Sequence, residues 1–338
     1  MRFVPCALAA VLLAGLAGAV DAGTLDDVRA RGILHCGVGG DVPGFSAVDE
    51  SGRLRGMDVD FCGAVAAVVL GDATKVKFTS LTAKQRFLAL QSGEIDLLAR
   101  NTTWTLQRDT ALALNFTGVM YYDGQGFMVR RALGVENARE LAGASVCVNI
   151  GTTTVLNLGD FFRVNNMDFK QVPFESSEEA VAAYDAGRCD AYTGDRSLLA
   201  GQRLKLSEPD AHVILPDTIS KEPLGPVVRH GDDQWFDIVK WTLFCLIGAE
   251  EQGLTMGSVD AATTEAKDPA TRRLLGLDGD LGKDLGVSAQ WCQAAVKQVG
   301  NYGEIYDRHL GPGSPIGLPR GHNAQWRDGG LHYAMPIR

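Results

Sequence analysis

The chain contains one strand–helix–strand pattern twice, and this duplication constrains the possible fold more than any other feature. Each copy starts with a strand-like stretch, continues through a short helix and returns to a strand after a glycine. A glycine is common at that point because it adopts the left-handed conformation of a helix C-terminal cap without strain. The copies cover residues 75–80, 83–92 and 94–99, and residues 169–173, 180–186 and 189–193.

The turn between helix and strand has the same spacing of glycine and aspartate in both copies. The first reads Leu90-Gln91-Ser92-Gly93-Glu94-Ile95-Asp96 and the second reads Tyr184-Asp185-Ala186-Gly187-Arg188-Cys189-Asp190. Ser176 and Glu179 also have the spacing of a capping box at the start of the second helix. We therefore predict an α/β protein made of two similar lobes, each built around an open α/β sheet.

Each predicted lobe also has an opening strand, at residues 33–38 and at residues 145–150. In open α/β sheets, ligands bind beyond the carboxyl ends of the strands. Two lobes that face each other there would enclose a polar cleft. Residues 124–129 and the Pro- and Gly-rich residues 221–227 are candidates for crossings between the lobes, and a two-segment crossing acts as a hinge.

The predicted organisation has four parts. They are a signal peptide at 1–22, the first part of lobe I at 23–127, lobe II at 128–222, and the second part of lobe I with a C-terminal extension at 223–338. The first 22 residues combine Arg2, an apolar stretch from Val4 to Val20 and small residues around Ala22, which is typical of a cleaved secretory signal. A single membrane anchor is the alternative for this segment.

Charge and composition exclude several classes of function. The chain has 32 Lys and Arg against 41 Asp and Glu, a net charge of −9, without basic runs. This balance argues against a nucleic-acid partner and against an anionic membrane surface. Strings typical of phosphate loops, zinc proteases and serine hydrolases are missing from the sequence, and Val42 replaces the third glycine of a dinucleotide fingerprint. We expect a binding protein rather than an enzyme, without a cofactor or a metal.

Polar residues at the predicted strand ends suggest what the cleft binds. A guanidinium such as that of Arg108 suits a carboxylate, and Asp195, at the matching strand end of the other lobe, suits an ammonium group. Hydroxyls of Thr103, Thr152 and Thr153 would complete a shell around the carboxylate. Together these side chains predict a receptor for a zwitterion. The alternative is that each is a surface ion-pair partner or a helix cap.

Six cysteines follow the predicted signal peptide, namely Cys36, Cys62, Cys147, Cys189, Cys245 and Cys292. An even number in an exported chain suggests disulfides, but six cysteines allow 15 pairings. Buried free thiols are the alternative.

Several of these segments resemble family 3 periplasmic solute-binding proteins, the amino-acid receptors of ATP-driven importers. The segment Gly56-Met57-Asp58-Val59-Asp60-Phe61, which precedes an apolar helix, is similar to the signature of that family. The wider match is to its general L-amino-acid-binding subgroup and spans about residues 24 to 338. It rests on residues 100–109, Gly151-Thr152-Thr153-Thr154, Cys189-Asp190-Ala191-Tyr192 with Asp195-Arg196-Ser197, and residues 300–306.

The resemblance implies a two-lobed type II binding-protein fold and a role for each candidate residue. Arg108 matches the arginine that holds the ligand α-carboxylate, with Thr103 and Thr153 as donors and Thr152 beside them. Asp195 matches the acid that holds the α-ammonium group of the ligand. Asn101 matches a position whose backbone carbonyl also reaches that ammonium group. Arg100 is a candidate for an acidic ligand side chain. Some relatives carry a stacking aromatic near Val42, and its absence implies a roomier, less selective pocket.

The resemblance also favours the disulfides Cys36–Cys62 and Cys147–Cys189, which leaves Cys245 with Cys292. It implies a monomeric periplasmic protein that binds L-amino acids, broadly and including Glu, Gln, Asp and Asn, and delivers them to an inner-membrane permease. An enzyme of the lyase or dehydratase type on the same scaffold is the alternative function. A sensory domain is a third alternative for the function.

Overall fold

The chain is built around two five-stranded sheets with equivalent strand orders. They are seen in a computed structural model, which describes residues 23–338. The predicted signal peptide lies outside the described residues. The strands within this range are β1 (Leu34–Val38), β2 (Asp41–Val42), β3 (Ser46–Val48), β4 (Leu54–Arg55), β5 (Val76–Ser80), β6 (Leu97–Leu98), β7 (Leu114–Phe116), β8 (Tyr121–Asp123), β9 (Gln125–Arg130), β10 (Ser145–Asn149), β11 (Lys170–Phe174), β12 (Ala191–Asp195), β13 (His212–Ile214), β14 (Glu222–Leu224) and β15 (Val227–Arg229).

The α-helices lie on the faces of these sheets and in the C-terminal region. In the described range they are α1 (Thr24–Arg31), α2 (Met57–Leu70), α3 (Arg86–Gln91), α4 (Leu106–Thr110), α5 (Thr153–Val164), α6 (Ser177–Asp185), α7 (Arg196–Arg203), α8 (Asp233–Glu251), α9 (Val259–Glu265), α10 (Pro269–Leu274), α11 (Leu281–Asp284), α12 (Trp291–Val299) and α13 (Tyr302–His309). Between residues 23 and 338, every helix is too short or too polar to span a lipid bilayer.

The two sheets match strand by strand. The first has the order β5-β1-β6-β15-β7 and the second the order β11-β10-β12-β9-β13. In each sheet the first three strands are parallel and the fourth is antiparallel to its neighbours. We call the part of the chain around the first sheet lobe I and the part around the second sheet lobe II. The predicted pair of open α/β lobes is therefore confirmed.

The chain passes between the lobes along a two-stranded antiparallel ribbon formed by β8 and β14. It enters the second sheet with β9, which begins at Gln125, ahead of the predicted start of lobe II at residue 128. It returns through β14 and β15 into the first sheet. The exact lobe boundaries stay a prediction.

Local sequence signals explain most of the repeated unit. Helix α6 begins with the expected capping box, in which Ser176 and Glu179 each accept from the other's backbone N–H. Gly93 and Gly187 both have positive φ, at 77° and 79°, where a residue with a Cβ would be strained. Helix α3 is shorter than the predicted helix at 83–92, since it covers only Arg86–Gln91. Likewise, β6 covers only Leu97–Leu98 of the strand predicted at 94–99.

Lobe I holds the larger core. Helices α2 and α8 pack on one face of its sheet, and α12 packs against both of these helices. Trp235, 1% exposed, donates from its indole Nε1 to the carbonyl of Asp96 at 2.9 Å. The C-terminal region is part of this core, because buried residues of α12 and α13 pack against α2 and α8.

Three disulfides lie in the described residues, and they join the pairs that the resemblance favours. They are Cys36–Cys62, Cys147–Cys189 and Cys245–Cys292. The first and third tie α2 to β1 and α8 to α12 in lobe I, while the second lies within lobe II.

Candidate functional site

A cavity lies between the lobes, at the carboxyl ends of their parallel strands. Its lining includes six of the seven predicted ligand-binding residues, namely Arg100, Asn101, Thr103, Thr152, Thr153 and Asp195. The sequence therefore placed these side chains at one site, although their contacts with a ligand stay a prediction.

Asp195 ends β12 and faces the cavity from lobe II. It is buried, and its carboxylate accepts no hydrogen bond from any residue between 23 and 338. Burial, together with the nearby carboxylates of Asp123 and Glu222, raises the pKa of Asp195 well above its usual range, while Arg86 and Arg108 oppose the shift. A ligand cation in the cavity would favour the charged form of this carboxylate.

Asn101 follows β6 in lobe I and has a φ of 30°, in the left-handed region that asparagine tolerates better than most residues. Its backbone N–H donates to Asp58 at 3.0 Å. Asp58 is 1% exposed, and burial raises its pKa to about 7 despite that hydrogen bond and the nearby Arg100. Asp58 thus holds the backbone of Asn101 in place at the cavity wall.

Thr103 and Thr153 come from different lobes, yet their hydroxyls meet on one carboxylate. Both donate to Oε2 of Glu222, at 2.7 and 2.8 Å. The other oxygen of Glu222 accepts from Asn157 at 2.7 Å and from Ser220 at 2.5 Å. Because each hydroxyl has a single proton, donation to a ligand carboxylate would require the threonine to release Glu222.

Sequence analysis missed Glu222. The residue lies in a segment that the sequence predicts only as a crossing between the lobes. Three of its four donors are distant in sequence and converge on it only in the folded chain. The sequence signal is limited to an acid beside Pro223 in a Pro- and Gly-rich crossing.

Arg108 lies in α4 behind Thr103 and is not among the residues that line the cavity. Its Nη1 donates to the carbonyl of Thr103 at 2.7 Å, and its guanidinium stacks on Phe87 with the Cζ atom 5.1 Å from the ring centre. Burial lowers the pKa of Arg108 to about 10, while Glu222 and Asp195 oppose that shift. The charge of Arg108 therefore lies behind Thr103, next to the residues that line the cavity.

Two further arginines line the cavity directly. Arg100 donates from Nε to the carbonyl of Leu81 at 2.7 Å. Arg86 is 2% exposed, and its Nε has no partner among residues 23–338. Burial, with Arg108 and Arg100 nearby, lowers the pKa of Arg86 well below its usual value. The sequence analysis missed Arg86, which begins an apolar helix where a charged residue ordinarily faces water.

The site as a whole is dipolar. Lobe I supplies the guanidinium groups of Arg86, Arg100 and Arg108, and lobe II supplies the carboxylate of Asp195. Such a wall complements a small molecule that carries both an anionic and a cationic group. The fold and this site define a class of protein, the two-lobed solute-binding proteins.

The chain belongs to the bacterial extracellular solute-binding proteins, family 3, whose sequence pattern it matches over residues 34–251. This membership confirms the resemblance and the predicted fold class. It also confirms the prediction of a binding protein over the lyase alternative.

Several relatives are similar over almost their whole length. The general L-amino acid-binding periplasmic protein AapJ of Rhizobium johnstonii is 55% identical, over 100% of this chain and 99% of the relative. The glutamate/glutamine/aspartate/asparagine-binding protein BztA of Rhodobacter capsulatus is 52% identical, over 97% of each chain. A periplasmic binding protein of an ABC transporter from Brucella ovis, solved with glutathione bound, has a TM-score of 0.92 and 54% identity over 94% of this chain and 100% of that one.

Proposed function

We propose that this chain is the periplasmic binding protein of an ATP-driven amino-acid importer. It would bind an L-amino acid between the lobes and deliver it to an inner-membrane permease. The observation that carries the proposal is the buried residue Asp195, which lines the same cavity between the lobes as arginines of the other lobe. The names of AapJ and BztA, at 55% and 52% identity, support the same ligand class.

In this proposal the two charged ends of the ligand meet different lobes. The α-ammonium binds Asp195 and the backbone carbonyl of Asn101, and the α-carboxylate binds Arg108 with Thr103 and Thr153. Arg86, which lines the cavity where Arg108 does not, is the second candidate for the carboxylate. Only the closed state allows both lobes to contact one small zwitterion, so binding favours closure through differential affinity.

The ligand range is broad in this proposal. Val42, rather than an aromatic residue, contributes to the cavity wall on the side of lobe I, and Arg100 lines it as well. The guanidinium of Arg100 suits an acidic or amide side chain, in keeping with the four ligands named for BztA. The γ-glutamyl group of glutathione carries the same α-amino and α-carboxyl groups, so the ligand named for the Brucella structure is a further candidate.

The setting of this activity follows from the same proposal. Residues 1–22 act as a cleaved signal peptide, and the remainder acts in the periplasm as a monomer that docks on the permease. The three disulfides suit an oxidising compartment.

The test is a calorimetric screen of the chain from Gly23 onward, after unfolding and refolding to remove any bound ligand. L-Glutamate, L-glutamine, L-aspartate, L-asparagine and glutathione are titrated separately. We expect at least one of the four amino acids to bind with micromolar or tighter affinity. Binding of none of the four amino acids, even with binding of glutathione, would contradict the proposal.

A further inference from the structure

Asp41 of lobe I contacts the start of a helix in lobe II. Its Oδ2 accepts from the backbone N–H of Ser177 at 2.8 Å and from that of Glu178 at 3.4 Å. These groups belong to the first turn of α6, whose N–H groups have no partner within the helix. The capping box of α6 uses only the N–H groups of Ser176 and Glu179, so Asp41 provides a second cap from the opposite lobe.

The backbone of Asp41 also contacts lobe II. Its carbonyl accepts from Nε2 of Gln202 at 2.9 Å and from Nζ of Lys205 at 3.2 Å, at the end of α7. Two residues later, Pro43 packs against Gly201 so closely that a Cβ on Gly201 would lie 2.9 Å from the Cβ of Pro43. The short β2 segment therefore contacts both α6 and α7 of lobe II.

A second contact between the lobes, an ion pair, is weaker on physical grounds. Lys84 and Glu175 approach to 2.9 Å, but their side chains are 52% and 62% exposed. Exposed ion pairs contribute about 0–1 kcal/mol and are screened by salt. A carboxylate on the N-terminal N–H groups of a helix accepts charge-assisted hydrogen bonds and also interacts with the positive end of the helix dipole.

We propose that Asp41 is a latch for the closed cleft, which caps α6 only while the lobes are closed and thereby slows ligand release. The proposal rests on the proposed function, since a latch matters only if a ligand is held. The contact crosses between lobes that are joined by the β8–β14 ribbon, so opening the cleft breaks it. Its contribution therefore belongs to the closed state and to the dissociation rate rather than to the folding of either lobe.

The test compares three variants of the chain from Gly23 onward. Asp41→Ala removes both the acceptor and the charge, while Asp41→Asn keeps an acceptor without charge. Glu50→Ala is the matched control, because Glu50 is an exposed acid of the same lobe that makes no side-chain hydrogen bond with residues 23–338. Stopped-flow tryptophan fluorescence measures L-glutamate or L-glutamine binding, with Trp104 beside Thr103 as an intrinsic probe.

We expect Asp41→Ala to accelerate dissociation by about fivefold, which corresponds to the usual contribution of one helix cap, and to leave the association rate unchanged. Asp41→Asn should fall between that variant and the wild type. The melting temperature of the ligand-free chain should be the same in all variants, and only the ligand-induced increase should shrink in Asp41→Ala.

Dissociation rates for Asp41→Ala that equal those for Glu50→Ala would overturn the latch. A melting temperature of the ligand-free chain that falls as far as that of the bound chain would also overturn it, because the role would then be structural. Failure of the wild type to bind any of the four amino acids would instead overturn the proposed function, and the latch with it.

Discussion

Asp123 and Glu222 face each other across the two strands of the hinge, in direct register. Like charges at such positions repel, so both carboxylates need compensation. Glu222 obtains it from four side-chain donors, and Asp123 accepts from the backbone N–H groups of Gly124 and Ser197. Burial first, and then Glu222, raise the pKa of Asp123 to about 6. The hinge thus holds two acids next to the cavity.

Replacement of Glu222 by Gln should destabilise the folded chain, because Glu222 joins the hinge to side chains of both lobes. An amide would direct its NH₂ group at donors that now share a carboxylate, and an unsatisfied buried donor costs about 1–3 kcal/mol. We expect a loss of that size in the free energy of unfolding by urea. Glu94→Gln is the control, as Glu94 is exposed. Equal stabilities for the two variants would show that the Glu222 network contributes nothing.

Asp58 should make stability depend on pH. Its pKa rises from an ordinary 3.8 to about 7, because the carboxyl is buried. The folded chain therefore binds a proton that the unfolded chain lacks between these pH values, and the stability from this group is lost as the pH rises through them.

In Asp58→Asn this titration is absent, so the unfolding free energy of the variant should rise relative to the wild type by at least about 1 kcal/mol between pH 4 and 7. Urea unfolding at intervals of half a pH unit measures the difference. The exposed acid Asp284 supplies the control Asp284→Asn. Wild-type and Asp58→Asn profiles that stay parallel across this window would refute the assignment.

Gly201→Ala should separate ligand affinity from stability. The new Cβ would lie 2.9 Å from Pro43 of the other lobe, so the closed state would be disfavoured. Replacing glycine by alanine within a helix contributes roughly 0.5–1 kcal/mol to stability, so the ligand-free chain should not be weakened.

Gly159→Ala in α5 is a matched control, since a Cβ there would meet nothing within 4 Å. Calorimetry should find weaker amino-acid binding for Gly201→Ala and unchanged binding for Gly159→Ala. Unchanged affinity in both would mean that the ligand does not require this approach of the lobes.

Arg108→Ala should weaken binding by on the order of 2–5 kcal/mol, because the ligand carboxylate would be left poorly paired in a desolvated site. Arg86→Ala tests the second candidate in the same way, and the exposed Arg163 of α5 supplies the control Arg163→Ala. Calorimetry with L-glutamate gives the affinities, and circular dichroism checks folding. Full affinity in Arg108→Ala with loss in Arg86→Ala would assign the carboxylate to Arg86.

The sequence was sufficient for the repeated unit because its signals are local. Alternation, a capping box and Gly93 or Gly187 at a helix end act over a few residues. The strand ends then bring Asn101 of lobe I and Thr152 and Asp195 of lobe II to the facing edges of the two sheets. Arg86 and Glu222 were missed for the opposite reason. Their partners are distant in sequence, and neither helix periodicity nor composition reveals that a charged residue is buried.

The central claim is that opposite lobes bind the two charged ends of one ligand. Calorimetry of the wild type and of Asp195→Asn, with L-glutamate and with glutarate, which lacks the ammonium group, tests it most directly. We expect the wild type to bind glutamate at least about 100-fold more tightly than glutarate, and Asp195→Asn to lose most of that preference by losing glutamate affinity alone. Equal preference in the two proteins, or wild-type affinity for glutarate that matches that for glutamate, would contradict the account.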